Sequence, residues 1–438
     1  MKYVAFMVIV LGAVPVMTAL GMWSERWRGW LVTALVFSTA LGDLANVNFV
    51  SLELYRGPDR GYEINLADLI ALALALALAV RLPRRVRWLP YNMLPLALLF
   101  VGCVVATVIA PAPLLGTFTL FKLVRVFIVY WAVANALETG VPSRAVWRGF
   151  VLVAVFLTTL ALKQKYVDGL YRVHASFDHS NTIPLYANLV LPVLLMWAMV
   201  DRGLDMRRAA VSALAAMGLT VTVMATFSRA GLALSVFGIV GALLASARRA
   251  PRRRLLPVVS VVLVAGLLGG AVAADSLIDR FLNAPESSAE ARSEFNEAAI
   301  AMAREHPLGV GLNNFSRVLT DVDRYRAGIT VMKGEEQAGV AHHIYLLTAA
   351  ELGYVGLLLF LLIMARFTWR GGWHGLKART TDAMLARGLM LGLCTLHAAG
   401  LLEWAFRTTP VMYMTAIVCA CTVAFTRRAS GSRGAVPA

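Results

Sequence analysis

Apolar runs of about 20 residues, the length that spans a bilayer as a helix, recur along this chain with short polar gaps between them. They fall near 4–22, 30–50, 64–80, 92–110, 118–136, 147–163, 183–200, 210–226, 230–246, 256–274, 344–365, 388–405 and 410–426. The pattern predicts an all-α polytopic membrane protein with about 12 transmembrane helices, within a range of roughly 11–13. Basic residues gather in the gaps at 81–87, 201–208, 247–255 and 366–387 and in the C-terminal tail. Under the positive-inside rule those segments, and the C-terminus with them, face the cytoplasm.

The longer polar stretches then fall on the opposite side: 51–63, 164–182 and a segment from about 275 to 343. The last far exceeds an ordinary connection, and such loops are usually functional or disordered. Its stretch from Ser288 to Arg304 has helical texture, with Ser287 or Ser288 as a cap, acids in the first turn, and Pro307 and Gly309 as stops. The chain therefore divides into helices with short loops (1–274), a large loop carrying short helices (275–343), C-terminal helices (344–426) and a tail (427–438).

Composition agrees: 59% hydrophobic, 15% charged, mean hydropathy +0.71. Soluble domains carry about a quarter charged residues. The net charge of +16 resides in the gaps between apolar runs, where it sets topology and meets lipid headgroups. No continuous basic face with base-reading groups suggests nucleic acid. Cys103, Cys394, Cys419 and Cys421 all lie within apolar runs, without metal-ligand spacing. The first apolar run lacks a small-residue cleavage site and reads as a retained helix.

Chemistry concentrates where apolar runs meet the long polar pieces. His342 opens the run 344–365 and has a reference pKa of about 6.5, suited to proton transfer. Arg229, in Thr226-Phe-Ser-Arg229-Ala-Gly231, occupies a tight turn where a guanidinium can grip phosphate. Arg172, His174, Asp178, His179 and Asn181 crowd one segment; their spacing matches no closed zinc site and suits a polar groove for sugar hydroxyls or phosphate. Lys122 and Arg125, one turn apart, either bind an anion or pair with Asp43, Asp68 or Glu403. Glu403 and Arg407, at i,i+4 spacing, read as a local ion pair.

His342-His343, nine residues and then Gly353-Tyr354-Val355-Gly356 resemble the signature of the O-antigen ligase and polymerase superfamily. The run Leu357-Leu-Leu-Phe360 fits, as do Phe227-Ser-Arg229-Ala-Gly, Arg292 ahead of His306-Pro-Leu-Gly309-Val-Gly311, and Arg172 followed by Phe177 and Asn181. His343 stands where the family has an amide or hydroxyl residue, and the spacing favours His342 as the base. The resemblance implies a GT-C-like fold and a metal-independent, inverting glycosyltransferase without cofactor, at the periplasmic face of the bacterial inner membrane. The donor would be a glycan on undecaprenyl diphosphate and the acceptor lipid A-core. It further implies His342 as catalyst and Arg229, Arg292, Arg172, His343 and Asn181 as substrate-binding residues, to which the anion-binding reading of Lys122 and Arg125 adds those two. The same residues would serve a surface-polysaccharide polymerase, or a ligase for exopolysaccharide or protein. Outside that class, polar groups within apolar runs also suit a lipid or solute transporter.

Overall fold

The computed structural model describes residues 2–200, 206–247, 250, 255–260, 262–264, 266, 267, 286–327, 329, 339–377 and 380–431. Helix α1 (Lys2–Trp23) is followed by α2 (Glu25–Ser38), whose N-cap Ser24 accepts from the Trp27 amide. Strands β1 (Asn46–Ser51) and β2 (Gly61–Asn65) precede α3 (Leu66–Arg81), α4 (Met93–Val108), α5 (Pro113–Glu138) and α6 (Arg144–Tyr166). Next come α7 (Thr182–Val200), α8 (Met206–Met224) and α9 (Arg229–Ala247). The long connection carries α10 (Glu286–Glu305), α11 (Phe315–Asp321) and α12 (Asp323–Arg326). The chain ends with α13 (Ile344–Lys377), α14 (Thr381–Ala399) and α15 (Thr409–Gly431).

Among the described residues, six helices are long and apolar enough to cross a membrane: Pro113–Glu138, Arg144–Tyr166, Thr182–Met199, Arg229–Ala247, Ile344–Trp373 and Thr409–Ser430. Val10–Trp23 and Met93–Val108 are shorter apolar helices. The protein is a polytopic helical membrane protein. The apolar run 256–274 lies partly outside the described residues.

The run 30–50 departs from a single helix. Helix α2 stops at Ser38, a 3-10 turn spans Gly42–Ala45, and Asn46–Ser51 pairs antiparallel with Gly61–Asn65. Asn46-Val-Asn-Phe-Val-Ser alternates polar and apolar at first, which is strand periodicity within an apolar composition. Phe49 bulges out of register between Asn48 and Val50. Asn65 and Asp68 then close a capping box that starts α3.

Helix α7 is apolar all round and buried from Thr182 to Met199, as a central helix should be. It packs against α8, α9 and α14. Gly388 and Gly392 let α14 approach it closely: a Cβ on Gly392 would lie 2.6 Å from the Leu189 carbonyl oxygen. Small residues four apart permit such contact between membrane helices. Helix α15 packs on α5 and α14, and α13 on α4, α10 and α14.

Helix α13 is broken at Gly353, whose φ of 68° and ψ of −174° lie in a region that only glycine visits readily. The break frees backbone groups, and residues 307–311 take them up. Val310 N–H donates to Ala350 O at 2.8 Å, Gly311 N–H to Glu351 O at 3.1 Å, and Tyr354 N–H to Pro307 O at 3.1 Å. Gly309, at φ 87°, passes so close to Glu351 O that a side chain there would collide with it. Asn313 and Asn314 extend the attachment: Asn313 Nδ2 donates to Asp59 O and Leu115 O, each at 2.8 Å, and Asn314 Nδ2 to Ala112 O at 3.2 Å. The end of α10 is thereby clamped to the membrane helix that begins beside His342.

Candidate functional site

Glu403 lies at the centre of the site, on the turn after α14, where its amide donates to Ala399 O at 2.9 Å. The start of α13 is pinned to the same turn: Ile344 N–H donates to Gly400 O at 2.9 Å, and Tyr345 Oη lies 2.9 Å from His397 O. These anchors carry His342 to the carboxylate, with Nδ1 3.2 Å from Glu403 Oε2. Helix α10 buries Phe295, Ala299 and Met302, and Arg292, one turn before Phe295 on that helix, reaches Glu403 Oε1 with Nη2 at 2.9 Å. Asn181, at the start of α7, donates Nδ2 to the same oxygen at 2.8 Å.

A second layer holds Asn181. Arg172 Nη2 donates to Asn181 Oδ1 and Arg172 Nε to Thr226 O, each at 2.8 Å. This ties the 171–182 segment to the turn ahead of α9, where Phe227 has a φ of 51° and stacks on Tyr171 at 5.2 Å. Arg229 is the first residue of α9 and is exposed. A narrow cleft lined by Asn181, Ser228, Gly231 and Glu403 joins that helix start to the cluster.

Burial works to raise the Glu403 pKa, but the hydrogen bond from His342, the charge of Arg292 and the hydrogen bond from Asn181 outweigh it and hold the carboxyl below its usual value. Glu403 is thus ionised at neutral pH and can only accept. The proton of His342 therefore sits on Nδ1 in the neutral ring, leaving Nε2 as the acceptor. His343 has the opposite arrangement: its Nδ1 accepts from the Leu346 amide at 3.3 Å, capping α13, so Nε2 carries the proton. Partial burial also lowers its pKa. Of the two histidines, His342 is the one with a ring nitrogen, Nε2, that meets no partner among the described residues, and its side chain is 31% exposed.

Sequence reasoning placed Glu403 in a local pair with Arg407; the structure corrects this. Arg407 turns the other way and pairs with buried Glu351 of α13. No signal in the order of residues connects Glu403 with His342, 61 positions away. Lys122 and Arg125 are not brought to the cluster. Lys122 pairs with Asp59 and donates to Arg407 O at 2.8 Å. Arg125 holds Asp68 at 2.8 Å and Glu63 at 3.2 Å. Burial opposes the ionised form of Glu63, but Lys122, the Thr409 hydroxyl and Arg125 bring its pKa down to about 2. These cations are engaged in tying the hairpin to α3 and α5. Among the described residues, His, Cys, Asp and Glu side chains nowhere gather in the threes that could hold a metal ion.

A cavity of about 430 Å³ runs between α4, α5, α13 and α15, lined by Leu96, Phe100, Leu123, Ile363 and Phe367 among others, with Asp59 and Arg407 also in its wall. Its lining is overwhelmingly apolar. Leu402 and Glu403 face the narrow cleft, whereas Phe406 and Arg407 face this cavity, so the 402–407 segment divides the two.

Residues 213–361 match the family model of the O-antigen ligases. The chain carries an O-antigen ligase domain. That domain contains Arg229, Arg292, His342 and His343, together with the break at Gly353 and the clamp that fills it. The site reaches beyond the domain on both sides, since Arg172 and Asn181 precede it and Glu403 follows it. No curated protein matches the chain.

Proposed function

We propose that this protein is a metal-independent, inverting glycosyltransferase that moves an undecaprenyl-diphosphate-linked glycan onto lipid A-core at the periplasmic face of the inner membrane. The observation that carries the reading is His342, its Nδ1 on an ionised carboxylate and its Nε2 without a partner among the described residues, beside Arg292 and the Arg172–Asn181 pair. The acceptor hydroxyl gives its proton to Nε2 as its oxygen attacks the anomeric carbon. The bond from that carbon to the diphosphate oxygen breaks on the opposite face, inverting the centre. Guanidinium groups suit the negative charge that builds on the departing diphosphate, and Arg292, Arg229 and Arg172 are the residues assigned to it. The apolar cavity between α4 and α13 suits the hydrocarbon of a lipid-borne substrate.

The test uses purified wild type and His342→Ala with an undecaprenyl diphosphate glycan and rough lipopolysaccharide. A positioned base contributes about 10²–10⁴-fold, so the variant is expected to lose transfer by that factor while remaining folded. Elongated lipid-linked chains with unmodified lipopolysaccharide would make the enzyme a polymerase. Neither product from well-folded wild type would overturn the glycosyl-transfer reading.

A further inference from the structure

Glu403 has more invested in it than an ion pair would require. Its side chain is only 13% exposed, yet it receives hydrogen bonds from three separate elements: His342 ahead of α13, Arg292 on α10 and Asn181 at the start of α7. The residue spaced to neutralise it locally, Arg407, is committed to Glu351. Its backbone is fixed by the turn on Ala399, and the neighbouring Gly400 carbonyl holds the first amide of α13. Carboxylate and imidazole are therefore presented to each other from a single rigid joint.

We infer that Glu403 is the positioning residue of this site: by accepting the Nδ1 proton it fixes the tautomer and ring plane of His342, so that Nε2 is the atom that meets the acceptor hydroxyl. The assignment rests on the reading of His342 as the base. Imidazole bases are commonly oriented by a third group in this way. Through Oε1 the same carboxylate also links the base to Arg292, so the base and one cation assigned to the leaving group share an anchor. When the base takes the hydroxyl proton, the ring becomes an imidazolium next to a carboxylate that is already ionised. The positive charge formed during transfer thus has its counter-ion in place.

The experiment is a kinetic double-mutant cycle on the full chain in detergent or nanodiscs, with wild type, Glu403→Ala, Glu403→Gln, His342→Ala and the double variant His342→Ala/Glu403→Ala. Glu403→Ala is expected to lower kcat by roughly ten- to 10³-fold, within what the base itself supplies, with donor KM changed by less than about threefold. Glu403→Gln, whose amide oxygen can still accept from Nδ1, is expected to fall between wild type and Glu403→Ala. The double variant should be slowed far less than the product of the single effects, because once the base is gone Glu403 keeps only its hold on Arg292. A thermal midpoint for each protein separates folding loss from catalytic loss, and Glu403→Gln carries the test if Glu403→Ala does not fold. Wild-type kcat in either Glu403 variant, a change confined to donor KM, or a double variant slowed by the full product of the single effects would each overturn the assignment. Absence of transfer by wild type would instead overturn the proposed function, so the two failures are told apart.

Discussion

Arg292 shows how little of a residue's role its own position reveals. On the sequence of α10 it is one charge on a polar face, whereas in the fold it is the residue by which that helix touches Glu403. Lysine at this position would keep the charge but lose the planar fork that can hold carboxylate and phosphate together. Arg292→Lys is therefore expected to lower transfer by roughly 10- to 100-fold, with a thermal midpoint close to wild type. Glycan transfer and a melting curve on the same preparation check it; wild-type transfer would remove Arg292 from the site. Lys122 carries the contrary expectation. Its partner Asp59 is 3% exposed, and stranding one member of such a buried pair costs about 3–5 kcal/mol. Lys122→Met should thus be found as a loss of stability, while the folded fraction keeps its donor KM. A raised KM at unchanged stability would return Lys122 to the substrate-binding set. Arg172, Asn181 and His342 were legible as candidates because polar groups at the ends of apolar runs attract attention, whereas Arg292 stood out only through the family resemblance. Glu403 was not, since i,i+4 spacing to Arg407 offered a nearer and sufficient partner.

At the scale of elements, length and hydropathy foretold the helices well and their interruptions poorly. The apolar run 30–50 breaks into helix, 3-10 turn and strand because side-chain alternation in Asn46–Ser51 is too short to stand out against its apolar surroundings. The helix at Glu286–Glu305 was legible from its acids and its Pro307 stop, but its seat on α13 was not. The Gly-x-x-Gly pair acquires a mechanical meaning in the fold. Gly353 is the break itself, and its exposed peptide groups are the ones that Pro307, Val310 and Gly311 engage. Irregular backbone at membrane depth is tolerated when protein satisfies it in this way. A methyl group on Gly353 would strike the Pro307 carbonyl and force alanine into glycine-only geometry, at a cost of about 1–3 kcal/mol. Gly353→Ala should therefore lower the thermal midpoint and expose the α10 segment to limited proteolysis. An unchanged digestion pattern would show that α10 keeps its seat without the clamp.

Taken whole, the molecule wraps outer helices around the buried α7, and gathers its site where the starts of α7 and α13, the turn after α14 and the long connection meet. That convergence is beyond sequence patterning, because it depends on which helices are neighbours, and hydropathy is silent on neighbours. The long connection is fixed firmly on both sides of its middle portion. One fixture is the run 307–314 on α13, α5 and the hairpin loop; the other is Ile344 on Gly400. Between them α11 and α12 bury Phe315, Val318, Leu319 and Tyr325, so the connection is itself packed core where it leaves the clamp. His342 stands two residues ahead of the second fixture, and a join that close leaves the imidazole little slack: its aim is set by the pairing of Ile344 with Gly400, on the same turn that carries Glu403.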